Sequence, residues 1–224
     1  MKKVLIFVTN HGTLGTQQEK NGTYAPEITH AIHEFTEAGL DYEIASIQGG
    51  SAPIYGDEIE DGINEAVLKD DKFVTRVNNT IPYSQLNMSD YDAVFYPGGF
   101  GLLYDLAENT SVADLVAKFY ESGKPVGAVC HGPAGFLPVT LSDGSKLLDN
   151  KHVTGFSREE EVDYGTIDKI PYLLEESLAR GNGIYSKVAP WKEYVIVDGH
   201  LISGQNPASA AKVGREIISL INQG

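Results

Sequence analysis

Cys130 is the only cysteine in the chain, and His131 follows it directly. A thiolate is a potent nucleophile at neutral pH, and an adjacent imidazole is one group that can activate it. The flanking sequence suits that use. Residues 125–129 (PVGAV) are small and apolar and read as a short buried strand after a helix stop at Gly123. Residues 132–137 (GPAGFL) open a helix, with Pro133 near the first turn, where a missing N–H costs nothing. Cys130 then stands on a sharp strand-to-helix turn, the geometry of a nucleophile elbow. Unpaired N–H groups and the positive end of a helix favour the ionised thiol, so Cys130 is expected below the free value of ~8.5. The competing reading is a small buried hydrophobe, which is what most lone cysteines are; the turn context favours the nucleophile.

Other residues could serve the same chemistry. Residues 93–96 (AVFY) read as a buried strand that ends in Pro97, Gly98, Gly99, Phe100 and Gly101. Three glycines there let the backbone approach a ligand and present N–H groups to it, although most Gly-rich loops are only turns. Glu27 follows Pro26 in the first turn of a helix, where the dipole alone is reason enough for a carboxylate. Glu159, Glu160 and Glu161 are adjacent and read as a solvated helix start. His30 and His33 lie close on the first helix and read as surface or packing residues rather than metal ligands.

The elements that position these residues alternate. Residues 4–8 (VLIFV) form a continuous apolar run, as a parallel strand covered on both faces requires. A polar, Gly-rich loop over 9–24 precedes the first helix, with Ile28, Ala31, Ile32 and Phe35 at helical spacing and Gly39 as its stop. A second strand spans 42–47, and an acidic excursion over about 48–88 holds one or two short helices. Ser111 is expected to cap a helix ahead of the cysteine strand. Beyond the cysteine come a short strand over 152–156, a helix from Tyr172, a hairpin turning at 198–200, and a last helix with Val213, Ile217 and Ile221 inward. This pattern predicts an α/β fold, a doubly wound, flavodoxin-like parallel sheet sandwiched by helices, with its ligand site at the carboxyl ends of the strands. The chain reads as one domain over 1–224, because no linker or composition break divides it.

Composition narrows the function classes. The net charge of −14 argues against nucleic acid or an anionic membrane as partner, and no stretch is long enough to cross a bilayer. A single cysteine rules out an internal disulfide and fits a reducing compartment, so the cytoplasm is expected.

Taken together, Tyr24-Ala25-Pro26-Glu27, Pro97-Gly98-Gly99, the run from Ala128 to Pro133, and Thr154-Gly155-Phe156 with Glu161 resemble the ThiJ/PfpI superfamily. Within it the chain is most similar to the heat-shock chaperone and glyoxalase III class, as are the stretches around Trp191 and over 204–209. The resemblance covers nearly the whole chain. It implies Cys130 as nucleophile, His131 as base or proton relay, Glu161 as the acid that orients His131, and Glu27 as a proton shuttle touching the sulfur. The Gly99 and His131 N–H groups would form an oxyanion site, with Gly98 beside them. Members of the class often carry His where Phe100 stands, so that part of the pocket is expected to be more apolar here.

The activity implied is conversion of methylglyoxal, or a related 2-oxoaldehyde, to a hydroxy acid without glutathione, through a Cys130 hemithioacetal. It needs no metal or organic cofactor, a small aldehyde as substrate, and by resemblance a homodimer. Whether Glu27 or His131 moves the carbon-bound proton is open at this stage. A cysteine peptidase or amidohydrolase, a holdase chaperone and a thiol redox sensor are the alternatives. Adjacent Cys130 and His131 argue against an amidotransferase, whose His usually stands further along the chain.

Overall fold

The apolar runs become the centre of a mixed sheet. The computed structural model describes residues 1–223. Seven strands form the sheet: β1 (Lys3–Phe7), β2 (Asp41–Ser46), β3 (Ile81–Pro82), β4 (Ala93–Tyr96), β5 (Val126–Val129), β6 (Val195–Asp198) and β7 (Leu201–Gly204). Their spatial order is β6-β7-β5-β4-β1-β2-β3, parallel throughout except for the β6–β7 hairpin. Ile6 stands opposite Phe95 on one side and Ile44 on the other, and Ala128 lies between Tyr96 and Ser203.

Alternation along the strands divides the core in two. Val4, Ile6 and Val8 pack with Phe95 and Ile202 against helices α1 (Ala25–Glu37) and α7 (Ala210–Gln223). Leu5 and Phe7 pack with Val94 and Tyr96 against α4 (Thr110–Glu121) and Leu174 and Leu178 of α6 (Leu174–Arg180). Each buried side chain of this kind contributes about 1.5–3 kcal/mol relative to exposure. Gly214 keeps α7 close to α1, since a Cβ there would stand 3.2 Å from Glu34 Cβ. Among the described residues no helix is long and apolar enough to cross a membrane.

The loops hold more order than their composition suggests. The stretch over 9–24 contains an antiparallel pair, Thr13–Leu14 with Glu19–Lys20, and the short strand Thr23–Tyr24. The excursion contains α2 (Gly62–Leu68) and α3 (Asp71–Asn78), but it also sends Ile54–Tyr55 to pair with Thr23–Tyr24 and returns β3 to the sheet edge. Asn109, not Ser111, caps α4: its side chain accepts from the Val112 N–H, and Ser111 lies exposed inside the first turn. Only His152–Val153 of the expected 152–156 strand pairs, with Ile184–Tyr185 outside the main sheet. The rest of that segment turns toward Cys130.

Candidate active site

The carboxyl ends of β1, β4 and β5 converge where the chain changes direction across the sheet, the expected place for a ligand. Cys130 follows β5 with φ at +60°, a conformation costing about 1–3 kcal/mol for a residue with a side chain. The fold holds it there from both sides. Its N–H donates to Gly204 O at 2.9 Å, and its carbonyl accepts from the Phe156 N–H at 2.9 Å. Gly98 leaves no room for anything larger: a Cβ would stand 2.1 Å from Glu27 Oε2 and 2.6 Å from Cys130 Cβ. Gly99 has φ at +118° and lies against the Gly22 carbonyl. Among the described residues no hydrogen bond engages the Gly99 or His131 backbone N–H.

Cys130, His131 and Glu161 form a line. Cys130 Sγ lies 3.3 Å from His131 Nδ1, and His131 Nε2 lies 2.7 Å from Glu161 Oε1. A carboxylate at Nε2 fixes the ring proton there and leaves Nδ1 as an acceptor facing the sulfur. The Thr166 hydroxyl donates to the other Glu161 oxygen. The imidazole is clamped between Phe100 and Phe156, with ring centroids 4.4 and 4.7 Å away.

The three adjacent acids are not a solvated helix start. Only Glu159 is exposed, paired with Lys187. Ser157 and Glu160 form a capping box that begins α5 (Arg158–Tyr164). The remaining Glu160 oxygen accepts from Trp191 N–H at 2.9 Å, Gln205 Nε2 at 3.1 Å and Asn206 Nδ2 at 2.8 Å. That network draws the helix start inward, so that the next residue, Glu161, meets His131. It also gives the stretches around Trp191 and over 204–209 a physical task.

Glu27 is placed differently. It is 0% exposed at the start of α1, and neither carboxyl oxygen has a hydrogen-bond partner. Burial pushes it up to about 8; the Cys130 thiol and the Gly98 backbone lie beside it and draw the value partway back, without a hydrogen bond of normal geometry. At neutral pH Glu27 therefore holds its proton. The Cys130 thiol is also pushed up, first by burial and then by its neighbour Glu27. This corrects the expectation of a thiol below its free value. Residues 132–136 form a single 3-10 stretch rather than an α-helix, so the dipole invoked for the thiolate is missing, and desolvation wins.

Tyr24, Tyr55, Phe100, Phe156, Tyr164 and Trp191 line a small cavity at the sulfur, half open to solvent. Phe100 is an apolar wall, as expected. Tyr55, Tyr164, Thr166 and Glu160 carry no signal of this placement in the sequence: two come from segments that read as excursion or solvated helix. His30 stands apart from this cluster and pairs with Asp61 at 2.9 Å.

A mostly parallel α/β sandwich with a strained cysteine turn and a His–Glu line behind it defines a class of α/β proteins with a cysteine at the carboxyl end of a central strand. Residues 19–220 match the DJ-1/PfpI family, and the chain belongs to it. The glutathione-independent glyoxalase HSP31 of Saccharomyces cerevisiae is 30% identical, over 93% of each chain. Glyoxalase 3 of Candida albicans is 29% identical, over 98% of each. Among solved structures, the Francisella tularensis Rapid Encystment Protein 24 kDa superposes with a TM-score of 0.94 at 33% identity, over 99% of both chains. Glyoxalase III of Candida albicans superposes at 0.86 and 24% identity, over 98% of this chain and 97% of that one, a likeness of fold.

Proposed function

We propose that this protein is a glutathione-independent glyoxalase, which converts methylglyoxal or a similar 2-oxoaldehyde to the 2-hydroxy acid with no thiol cofactor. One observation carries the reading: a sulfur 3.3 Å from an imidazole held by a glutamate, beside a carboxyl that keeps its proton, in a small aromatic-lined cavity. A thiol that is 5% exposed and pushed up by burial weighs against a redox sensor.

The chemistry balances without an external oxidant. His131 Nδ1 takes the thiol proton as Sγ bonds to the aldehyde carbon, and Glu161 stabilises the imidazolium. The new alkoxide sits toward the Gly99 and His131 N–H groups and takes the Glu27 proton. Glu27, now a carboxylate, carries the hydrogen left on that carbon to the neighbouring carbon by way of an enediol; the second oxygen takes the proton held by His131, and the hydroxyl proton of the first returns to Glu27 as its carbonyl forms. Two electrons thus pass from the aldehyde carbon to the ketone carbon, leaving a thioester. Water hydrolyses the thioester, giving the hydroxy acid and the free thiol. A carboxyl near 8 is suited to giving and taking a proton at neutral pH.

This reading takes residues 1–224 as one domain, the cytoplasm as compartment and a homodimer as assembly; the last rests on resemblance alone. The test is lactate formation from methylglyoxal by purified protein in thiol-free buffer. Lactate produced by wild type and absent with Cys130→Ser is expected; no lactate from folded wild type with a reactive thiol would overturn the reading.

A further inference from the structure

The cavity holds a set of donors that the chemistry above leaves unused. Both His131 nitrogens are engaged, one by the sulfur and one by Glu161. Phe100, Phe156 and the Trp191 ring face offer no donor to the sulfur, and the Trp191 indole N–H is turned away to Asp163 at 3.3 Å. That leaves the hydroxyls of Tyr24, Tyr55 and Tyr164 as the uncommitted side-chain donors of the lining. None makes a hydrogen bond among the described residues, and burial pushes all three up, so each keeps its proton at neutral pH.

The three are not equivalent. Tyr164 is 52% exposed, at the mouth. Tyr24 has its backbone N–H bound to Gly98 O at 3.0 Å, and its ring edge lies against Gly56, where a Cβ would stand 2.4 Å away. Tyr55 stands opposite Tyr24 in the two-residue parallel ladder, with ring centroids 5.0 Å apart, and reaches Phe100 at 6.3 Å on its other side. The ladder, with glycine at 56 leaving space for Tyr24, thus sets the Tyr55 ring in the wall of the cavity that holds the sulfur, beside Phe100.

A 2-oxoaldehyde bound at Sγ has two oxygens to accommodate. The first, on the attacked carbon, has the backbone N–H groups. The second, on the neighbouring carbon, gains negative charge as the enediol forms and has no backbone donor assigned to it. We propose that the Tyr55 hydroxyl binds this second oxygen and so selects aldehydes that carry an adjacent carbonyl. The proposal rests on the glyoxalase reading for its substrate. The phenol donates a hydrogen bond and keeps its proton; no bond to it is made or broken.

The test measures occupancy of Cys130 rather than turnover. Initial rates of Cys130 alkylation by iodoacetamide are followed by intact mass in the presence of methylglyoxal or of propanal, which lacks the second oxygen. Wild type, Tyr55→Phe and Tyr24→Phe are compared. Tyr55→Phe is expected to weaken protection by methylglyoxal at least about tenfold and to leave protection by propanal within about twofold. Tyr24→Phe is expected to leave the ratio of the two unchanged. Equal losses for both aldehydes, no loss for methylglyoxal, or a selective loss in Tyr24→Phe alone would overturn the assignment. A measurement on wild type alone guards against misfolding of the variants. Its preference for methylglyoxal over propanal should exceed that of free N-acetylcysteine by about tenfold, and no excess would count against Tyr55. Failure of the glyoxalase reading looks different: methylglyoxal protects the thiol, yet no lactate forms.

Discussion

The starts of α1 and α5 each bring a buried glutamate to the Cys130–His131 pair, and they treat it in opposite ways. Glu161 has one oxygen on His131 and the other on Thr166, behind a capping box in which every oxygen of Glu160 is also bonded. Glu27 has neither oxygen bonded. Both are first-turn carboxylates at the positive end of a helix, so the dipole does not separate them. Hydrogen bonding does. Glu27, buried without partners, takes up a proton. The sulfur lies between a fully hydrogen-bonded carboxyl group acting through imidazole and a carboxyl that can give its proton away.

The comparison matters only if the sulfur is the reacting atom, so the largest effect is expected from Cys130→Ser, a loss of methylglyoxal turnover of at least about 10⁴-fold in steady-state assays. Retained turnover would remove the object that both carboxyls serve. Next comes Glu161→Gln, which keeps the shape but removes the carboxyl group behind His131. It should lower kcat by about 10³-fold with the fold intact by circular dichroism. An unchanged kcat would place Glu161 with Glu160 as a purely structural acid.

Glu27→Gln should slow the reaction and yet stabilise the fold. Folding raises the Glu27 carboxyl from the ordinary 4.5 to about 8, so the native state holds a proton that the unfolded state has lost between those values. Stability therefore falls as pH rises through that window, and Glu27→Gln abolishes the fall. The gain is expected to be absent below about 4.5 and to reach about 3 kcal/mol at pH 7. Urea unfolding at two pH values within the window checks it: an equal gain at both would contradict the comparison. The smallest effect is expected at the wall between the two regions. Phe100→His puts a donor beside His131 and should raise methylglyoxal turnover about tenfold, or ~1.4 kcal/mol of barrier. No rise, with Cys130 still reactive, would show that Tyr55 and the backbone donors already suffice.

Much of this was legible in the sequence. Continuous apolar runs at 4–8, 93–96 and 125–129 marked the central strands, because strands buried on both faces have no polar side to show. The glycines at 98 and 99 and the lone cysteine marked the strand ends. Glu160 and Glu161 were misleading: a run of three acids reads as solvated, and only the bonds from Trp191, Gln205 and Asn206, far along the chain, draw them inward. The Cys130 thiol misled for a related reason, since desolvation depends on walls drawn from six segments and the 3-10 stretch after it looks helical in sequence. Tyr55 had no local pattern to reveal it. Its position comes from a two-residue ladder with Tyr24, which no periodicity of that length can specify.

The proton on Glu27 can be observed directly by infrared difference spectroscopy of wild type minus Glu27→Gln across the pH range. A protonated-carboxyl C=O band assigned to Glu27 should be present at pH 6.5 and titrate away with a midpoint near 8, as burial without partners requires. A Glu27 signal already ionised at pH 6.5 would contradict the account, because the carboxyl could not then supply the proton that the alkoxide needs.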